Sequence, residues 1–403
     1  MKKYIALLLA LVMVFALAAC GSKQEAAPAG SEDAAAPAEA SDVKVAMITD
    51  YGDITDQSFN QTTYEACKAF CEKNAVDFKY YKPTDDSTAS RVEMIDQAIA
   101  EGYNVVVMPG FAFAGAIMET QDLYPDVKFV ALDVSEYDIT SAFYKTDADG
   151  NVTEELLDES NEPHVADNVY SAVYQEELCG YMAGVAAVKL GYTKLGFLGG
   201  MAVPAVIRYG SGFVQGANAA AEELGKDIEI NYVYGGQFYG DGDITAAMDT
   251  WYKAGTEVVF ACGGGIYQSA CEAAAKVDGK VIGVDVDQAA IIDGDYGEGM
   301  TVTSAMKGLA ATVDTMLSEI VAGNWEKYGG KVENLGLVSG EDPTLNYVQI
   351  PLESTQWGDG FSKEDYVALV ASMVAGEVTV SNDISALPAV GSHVTLNDQG
   401  QIK

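Results

Sequence analysis

From residue 43 onward, short apolar runs rich in β-branched residues alternate with longer stretches whose apolar positions recur every three to four residues. The first run covers 43–49, and helical periodicity follows over 58–74. Strands are predicted again at 76–81, 105–108 and 127–132, with helices at 88–101 and 112–124 between and after them. In helix 88–101, Val92, Ile95 and Ile99 share one face. Residues 134–166 break the rhythm. They are polar, carry Asp147-Ala148-Asp149-Gly150-Asn151, and read as a surface insertion.

The alternation then resumes. Strands are predicted at 168–173, 194–198, 228–234, 257–262, 280–284 and 300–305, and helices at 175–190, 204–224, 242–254, 266–276 and 307–322. Beyond them come strand-like pieces near 335–338 and 346–350 and a helix near 363–376. Strands alternating with helices of this length predict an α/β chain built from βαβ units and parallel sheets. Two successive blocks predict two lobes, each a parallel sheet flanked by helices, with a hinged cleft between them. Helix 307–322 and the tail follow the second block and are expected to cross back. The expected division is 43–172 plus 306–325 for the first lobe, and 173–305 plus 326–403 for the second.

The amino end follows a different pattern. Lys2 and Lys3 precede an apolar run from Tyr4 to Ala19, which reads as a secretory signal over 1–19. Leu17-Ala18-Ala19-Cys20 resembles a bacterial lipobox, and that resemblance implies a lipid on Cys20. Residues 20–42 are rich in Ala, Pro, Ser, Gly and Glu without periodicity, and are expected to tether the lipidated cysteine to the lobes. The chain is thus expected at the cell membrane, lipid-anchored, on its extracytoplasmic face.

Charge narrows the choice of ligand. With 60 acidic and 23 basic residues the formal charge is −37, which disfavours nucleic acid, anionic lipid surfaces and phosphorylated ligands. There are six cysteines and two histidines, His164 and His393, with no cysteine near either, so no metal site is expected. Apart from Cys20 the cysteines read as buried thiols. The phosphate-binding and dinucleotide glycine motifs are missing, and two distant histidines make a Ser-His-Asp triad improbable. Neither a cofactor nor a catalytic residue is expected.

What recurs is a polar or aromatic residue at the carboxyl ends of the predicted strands. Asp50 and Phe59 follow the first strand, and Asp133 the fourth. Phe238 and Tyr239 follow 228–234, Gly263-Gly264-Gly265 follows 257–262, and Asp285 follows 280–284. Lys307 opens the predicted crossing helix. An aspartate after a strand often only caps a helix, and Asp56 sits where such a cap would sit. If both sheets turn their carboxyl edges to one cleft, however, these residues converge there. Rings for stacking, carboxylates for hydroxyls and glycines for close approach suit a flat, hydroxylated, neutral molecule.

The chain resembles the basic membrane protein family of substrate-binding lipoproteins, which includes purine nucleoside receptors of ATP-binding-cassette importers. The resemblance rests on Asp56-Gln57-Ser58-Phe59-Asn60-Gln61, Phe129-Val130-Ala131-Leu132-Asp133, Gly180-Tyr181-Met182-Ala183-Gly184, Gly212-Phe213-Val214-Gln215-Gly216, Gly236-Gln237-Phe238, Gly283-Val284-Asp285-Val286-Asp287-Gln288 and Thr303-Ser304-Ala305-Met306-Lys307. These run in family order across roughly 43–325. The resemblance implies a two-lobed type I periplasmic-binding-protein fold, a nucleoside ligand and a permease partner, and the chain is expected to be a monomer. It implies that Phe59 and Phe238 sandwich a base, that Asp285 binds ribose hydroxyls and that Lys307 donates to the ligand. By the same resemblance Asp50 and Asp133 hydrogen-bond base or sugar, with Asn60 and Gly263 beside them. A different neutral solute such as a sugar is the alternative. A nucleoside-hydrolase-like enzyme is a weaker one, because the aspartate cluster of 50–56 lacks an adjacent aspartate pair.

Overall fold

In the computed structural model, residues 42–403 are described except Tyr51, Asp149 and Gly150. The expected signal at 1–19, Cys20 and nearly all of the tether lie outside the described residues. The first block contains β1 (Lys44–Ile48), α1 (Phe59–Asn74), β2 (Asp77–Tyr81), α2 (Thr88–Ala100), β3 (Val105–Pro109), α3 (Ala114–Thr120) and β4 (Lys128–Leu132). The inserted segment supplies α4 (Glu136–Ser141) and a hairpin of β5 (Tyr144–Thr146) and β6 (Val152–Leu156), after which β7 (Val169–Tyr174) rejoins the sheet. The second block contains α5 (Glu176–Lys189), β8 (Lys194–Gly199), α6 (Pro204–Leu224), β9 (Ile228–Tyr234), α7 (Gly242–Lys253), β10 (Val258–Cys262), α8 (Tyr267–Ala274), β11 (Lys280–Asp285), α9 (Ala289–Tyr296) and β12 (Thr301–Lys307). The tail holds α10 (Leu309–Val321), β13 (Lys331–Leu335), β14 (Val348–Gln349), α11 (Lys363–Val374) and β15 (Val394–Gln401).

Two large sheets form among the described residues, one ordered β13-β7-β4-β3-β1-β2 and the other β14-β12-β11-β10-β8-β9-β15. Only the β12–β14 pairing in them is antiparallel. Stripped of their added edges, both read second-first-third-fourth-fifth in order of appearance. The chain has therefore built the same doubly wound layout twice. In such a layout the crevice lies where the strand order reverses, at the carboxyl ends of the first and third strands. Those points are β1 and β3 in one lobe, and β8 and β10 in the other. β3 and β10 are buried along their whole length, consistent with helices on both faces of a parallel sheet.

Several predicted boundaries shift. Lys307 ends β12 and does not open the helix, which begins at Leu309. Helix 112–124 shortens to one 3-10 turn, Phe111–Phe113, and α3. The segment after α10 also departs from the expected division. β13, placed with the second lobe by the sequence pattern, pairs in parallel with β7 of the first sheet. The reason is that α10 packs against α1 of the first lobe, so the short connection after it delivers the chain to the open edge of β7. β13 reads KVENL, a polar strand suited to an edge.

In the second lobe α5 and α6 pack backbone against backbone. A Cβ on Gly180 would lie 2.3 Å from the carbonyl oxygen of Tyr209, and one on Gly184 2.2 Å from that of Phe213. Reciprocally, a Cβ on Gly212 would meet the Glu177 oxygen at 2.1 Å, and one on Gly216 the Tyr181 oxygen at 2.0 Å. Two glycines four residues apart on each helix thus let backbone touch backbone. This seam fixes how the first turn of α5 faces the first turns of α6. The five described cysteines, Cys67, Cys71, Cys179, Cys262 and Cys271, are all buried and unpaired. Burial pushes their thiols up, Cys71 to about 12.

The seam gives a direct test. Gly216→Ala is expected to destabilise the protein by roughly 2–3 kcal/mol through overpacking, whereas Gly294→Ala, on a helical site with open space around it, should be neutral or stabilising by up to about 1 kcal/mol. Chemical denaturation of the two variants checks this. Equal midpoints would mean that the helices can part without cost.

Candidate functional site

The loop after β1 owes its shape to its aspartates. Asp56 caps α1. Its Oδ1 accepts from the Ser58 and Gln61 N–H groups at 2.9 and 3.0 Å, and its Oδ2 accepts from the Asn60 N–H at 2.9 Å. Burial raises its carboxyl above the ordinary range, and these bonds oppose that. Asp53 turns outward to Lys82, 2.6 Å away, at the surface. Asp50 is buried, and its Oδ1 accepts from the Gly52 N–H at 2.6 Å and from Asn60 Nδ2 at 3.1 Å. Because Asp56 satisfies the helix terminus, Ser58 is left for another task. Its hydroxyl donates to Asp285 Oδ2 of the other lobe at 2.5 Å. Gln288 Nε2 makes a second crossing, donating to the Gln57 carbonyl at 3.1 Å.

In the second lobe, the ring of Phe238 lies on bare backbone. A Cβ on Gly200 would sit 2.5 Å from it, and one on Gly263 2.9 Å. Gly263 also has a φ of 150° and Gly264 one of 51°, values that side chains disfavour. The Gly265 N–H donates to the Phe238 carbonyl at 2.8 Å, tying the two loops together. The glycine triplet is thus a seat for an aromatic ring.

Lys307 sits at the junction, with only 3% of its side chain exposed. Its ammonium donates to Asp133 of the first lobe and lies 3.4 Å from Glu176 and 3.6 Å from Asp285. It stands 4.7 Å above the centre of the Phe59 ring and 5.6 Å from those of Tyr174 and Tyr209. Burial works against this charge, but Asp133, Asp285 and Glu176 together hold its affinity for the proton above the ordinary lysine range. Glu176 is fully buried, and its other oxygen accepts from Arg208 Nε at 2.6 Å. Asp133 and Asp285 both adopt left-handed backbone, with φ of 61° and 64°, a conformation that costs about 1 kcal/mol each. The turn brings both carboxylates to one lysine from equivalent strands of the two sheets. Burial pushes Asp133 up to about 6, with Lys307 opposing and Glu176 adding to the rise. Its Oδ1 is buried with no hydrogen-bond partner, as is Oδ1 of Asn60.

All eight residues singled out in the sequence, Asp50, Phe59, Asn60, Asp133, Phe238, Gly263, Asp285 and Lys307, line a single cavity of about 640 Å³ between the lobes. The sequence reading missed Glu176, Arg208, Tyr209 and Ser58. Two of them left a signal. Glu176 lies two residues past the end of β7, as Asp50 lies two past the end of β1, and Arg208 is the one cation in the first turns of α6. Tyr209 donates to Asp285 Oδ1 at 3.3 Å, and nothing in its local sequence marks it. The insertion is more than surface, because Tyr137 and Asp138 of α4 also line the cavity.

Residues 43–341 match the family described as ABC transporter substrate-binding protein PnrA-like. Among curated relatives, the ABC transporter nucleoside-binding protein BmpA of Lactococcus lactis is 26% identical over 62% of this chain and 65% of its own length. The CD4+ T-cell-stimulating antigen of Listeria innocua is 26% identical over 83% of this chain and 90% of its own. Among solved structures, a solute-binding protein of an ABC transporter system from Aeropyrum pernix superposes with a TM-score of 0.61 at 22% identity, covering 85% of this chain and 88% of that one. The twice-built doubly wound sheet, the cavity between its two copies and the match over 43–341 agree: the chain belongs to the PnrA-like family of ABC transporter substrate-binding proteins.

Proposed function

We propose that this chain is a lipid-anchored, extracytoplasmic receptor that closes two lobes on a purine nucleoside and presents it to the membrane-spanning partner of an ABC importer, without breaking a bond. The observation that carries this reading is the composition of the cavity. An aromatic ring from each lobe, Phe59 and Phe238, shares it with the carboxylates Asp50, Asp133 and Asp285. A base placed between the rings gains about 1–3 kcal/mol per stacked face. The unpartnered Oδ1 of Asp133 supplies an acceptor for an N–H or O–H of the ligand. Asp285 is held by Ser58 and Tyr209 in position to accept from ribose hydroxyls. The nucleoside-binding relative supports the choice of ligand, and the signal and lipobox residues ending at Cys20 support the anchor. The strongly acidic chain disfavours nucleotides by charge.

Ser58 and Gln288 give closure a physical basis, because each bonds across the cleft. A ligand that bridges the rings adds to these contacts, and only the closed arrangement collects all of them.

Phe59→Ala and Asp285→Ala are each expected to weaken purine nucleoside binding at least tenfold, or about 1.4 kcal/mol, by calorimetry. Unchanged affinity in both would sink the site assignment. A thermal-shift screen of nucleosides against sugars should raise the melting point with purine nucleosides alone, since only a true ligand stabilises by mass action. Affinity should also depend on pH through Asp133. Its charged form accepts from the ligand, so binding should weaken as pH falls through about 6. The empty protein should show the opposite trend from this group, because a raised carboxyl makes the folded state less stable as pH rises through about 6. Asp133→Asn should remove both dependences; a binding profile of the same slope in that variant would assign the titration elsewhere.

A further inference from the structure

One residue lining the cavity, Ile384, comes from a segment beyond residues 43–341, the span of the family match. Residues 381–391 form a loop on α6. At one foot the Ser381 N–H donates to Gln215 Oε1 at 2.9 Å, and Gln215 Nε2 donates back to the Ser381 carbonyl at 2.9 Å. At the other foot the Gly391 N–H donates to Asn218 Oδ1 at 2.7 Å, followed by the His393 N–H to Glu222 Oε1 at 2.9 Å. Gln215 and Asn218 are neighbours one turn apart on the helix. The ends of the loop are therefore held close, as in an Ω-loop.

Within this loop the run Ser381-Asn382-Asp383-Ile384-Ser385-Ala386 is exposed except for Ile384, which is half-buried. Leu387 and Val390 of the same loop pack on the core, but Ile384 lines the ligand cavity, as do Val203, Pro204 and Ala205 at the start of α6. Ser135, Tyr137 and Asp138 of the first lobe line the same cavity. The Asp138 carboxylate is committed to the Ser135 N–H and hydroxyl at 2.9 and 2.6 Å. An apolar side chain lowered into a cavity from a polar, doubly anchored loop has no core to fill there.

We propose that Ile384 is a ligand-contacting residue that sets specificity, with the 381–391 loop holding it over the cavity so that the ligand part beneath it must be uncharged. This rests on the reading that the cavity takes a nucleoside. The Ile384 side chain offers contact to carbon, as do the other apolar lining residues Val203, Pro204 and Ala205, and an ionised substituent placed against it would lose water without gaining a partner.

The test is calorimetry with inosine and guanosine on the parent protein and on Ile384→Val, Ile384→Ala and Ile384→Asp, with the melting point of each ligand-free form. Ile384→Ala is expected to weaken binding about five- to tenfold, and Ile384→Asp by more, while Ile384→Val stays within about twofold. Ligand-free melting points should remain together. Equal affinities across the series in a parent that binds would overturn the role of Ile384 and leave the nucleoside reading standing. A ligand-free melting point that falls in step with affinity would make Ile384 a structural residue and would also overturn the proposal. Failure of the parent to bind either nucleoside would overturn the nucleoside reading, and this inference with it.

Discussion

The cleft is organised around a buried ammonium that cannot be left alone. Lys307 ends β12 with its charge out of water, and three carboxylates from three separate places surround it: Asp133 at the end of β4, Asp285 at the end of β11 and Glu176 at the start of α5. At an effective protein dielectric each such pair is worth about 4 kcal/mol at 4 Å, which must offset a desolvation cost of several kcal/mol per ion. The balance holds only if every partner is in place. Asp133 belongs to the first lobe and the others to the second, so this network is also a contact between lobes.

That requirement reaches back into the packing. Glu176 reaches Lys307 because α5 lies directly on α6, and it lies there because Gly180, Gly184, Gly212 and Gly216 remove the side chains that would separate the helices. The same seam places Arg208 of α6 where it satisfies the second oxygen of Glu176. Two cations then face three carboxylates, and burial, with Glu176 adding to it and Lys307 opposing, raises Asp133 toward neutrality. The rings follow the same logic of support. Phe59 is fixed because Asp56 caps its helix, and Phe238 because glycine backbone leaves it room.

Much of this was legible along the chain. In a doubly wound sheet the residues at and just beyond the carboxyl ends of the strands line the crevice. This is why Asp50, Asp133 and Asp285 stood out. Glu176 obeys the same rule but follows a strand whose helix begins at once, which hides it among ordinary first-turn acids. Lys307 falls in the same series of strand-end residues but reads as the first residue of a helix, because a lysine before an apolar helix looks like a helix start; it ends β12 instead. The destination of β13 reads wrongly from the sequence, which places it with the second lobe. KVENL has neither a clear period nor a partner in the sequence, and its pairing depends on which lobe α10 has already joined.

By itself the sequence determined the alternation of strands and helices, the two-block organisation and the strand-end residues, because these depend on local period and burial, which neighbours along the chain express. Tertiary structure decided which of those residues meet. Ser58 and Asp285 are 227 positions apart, and Lys307 and Asp133 are 174. The repeated strand order, the glycine seam and the loop that lowers Ile384 into the cavity were likewise settled only by packing. A hydrogen bond or a buried charge is satisfied by proximity in space, and only a folded chain fixes which distant segments supply it.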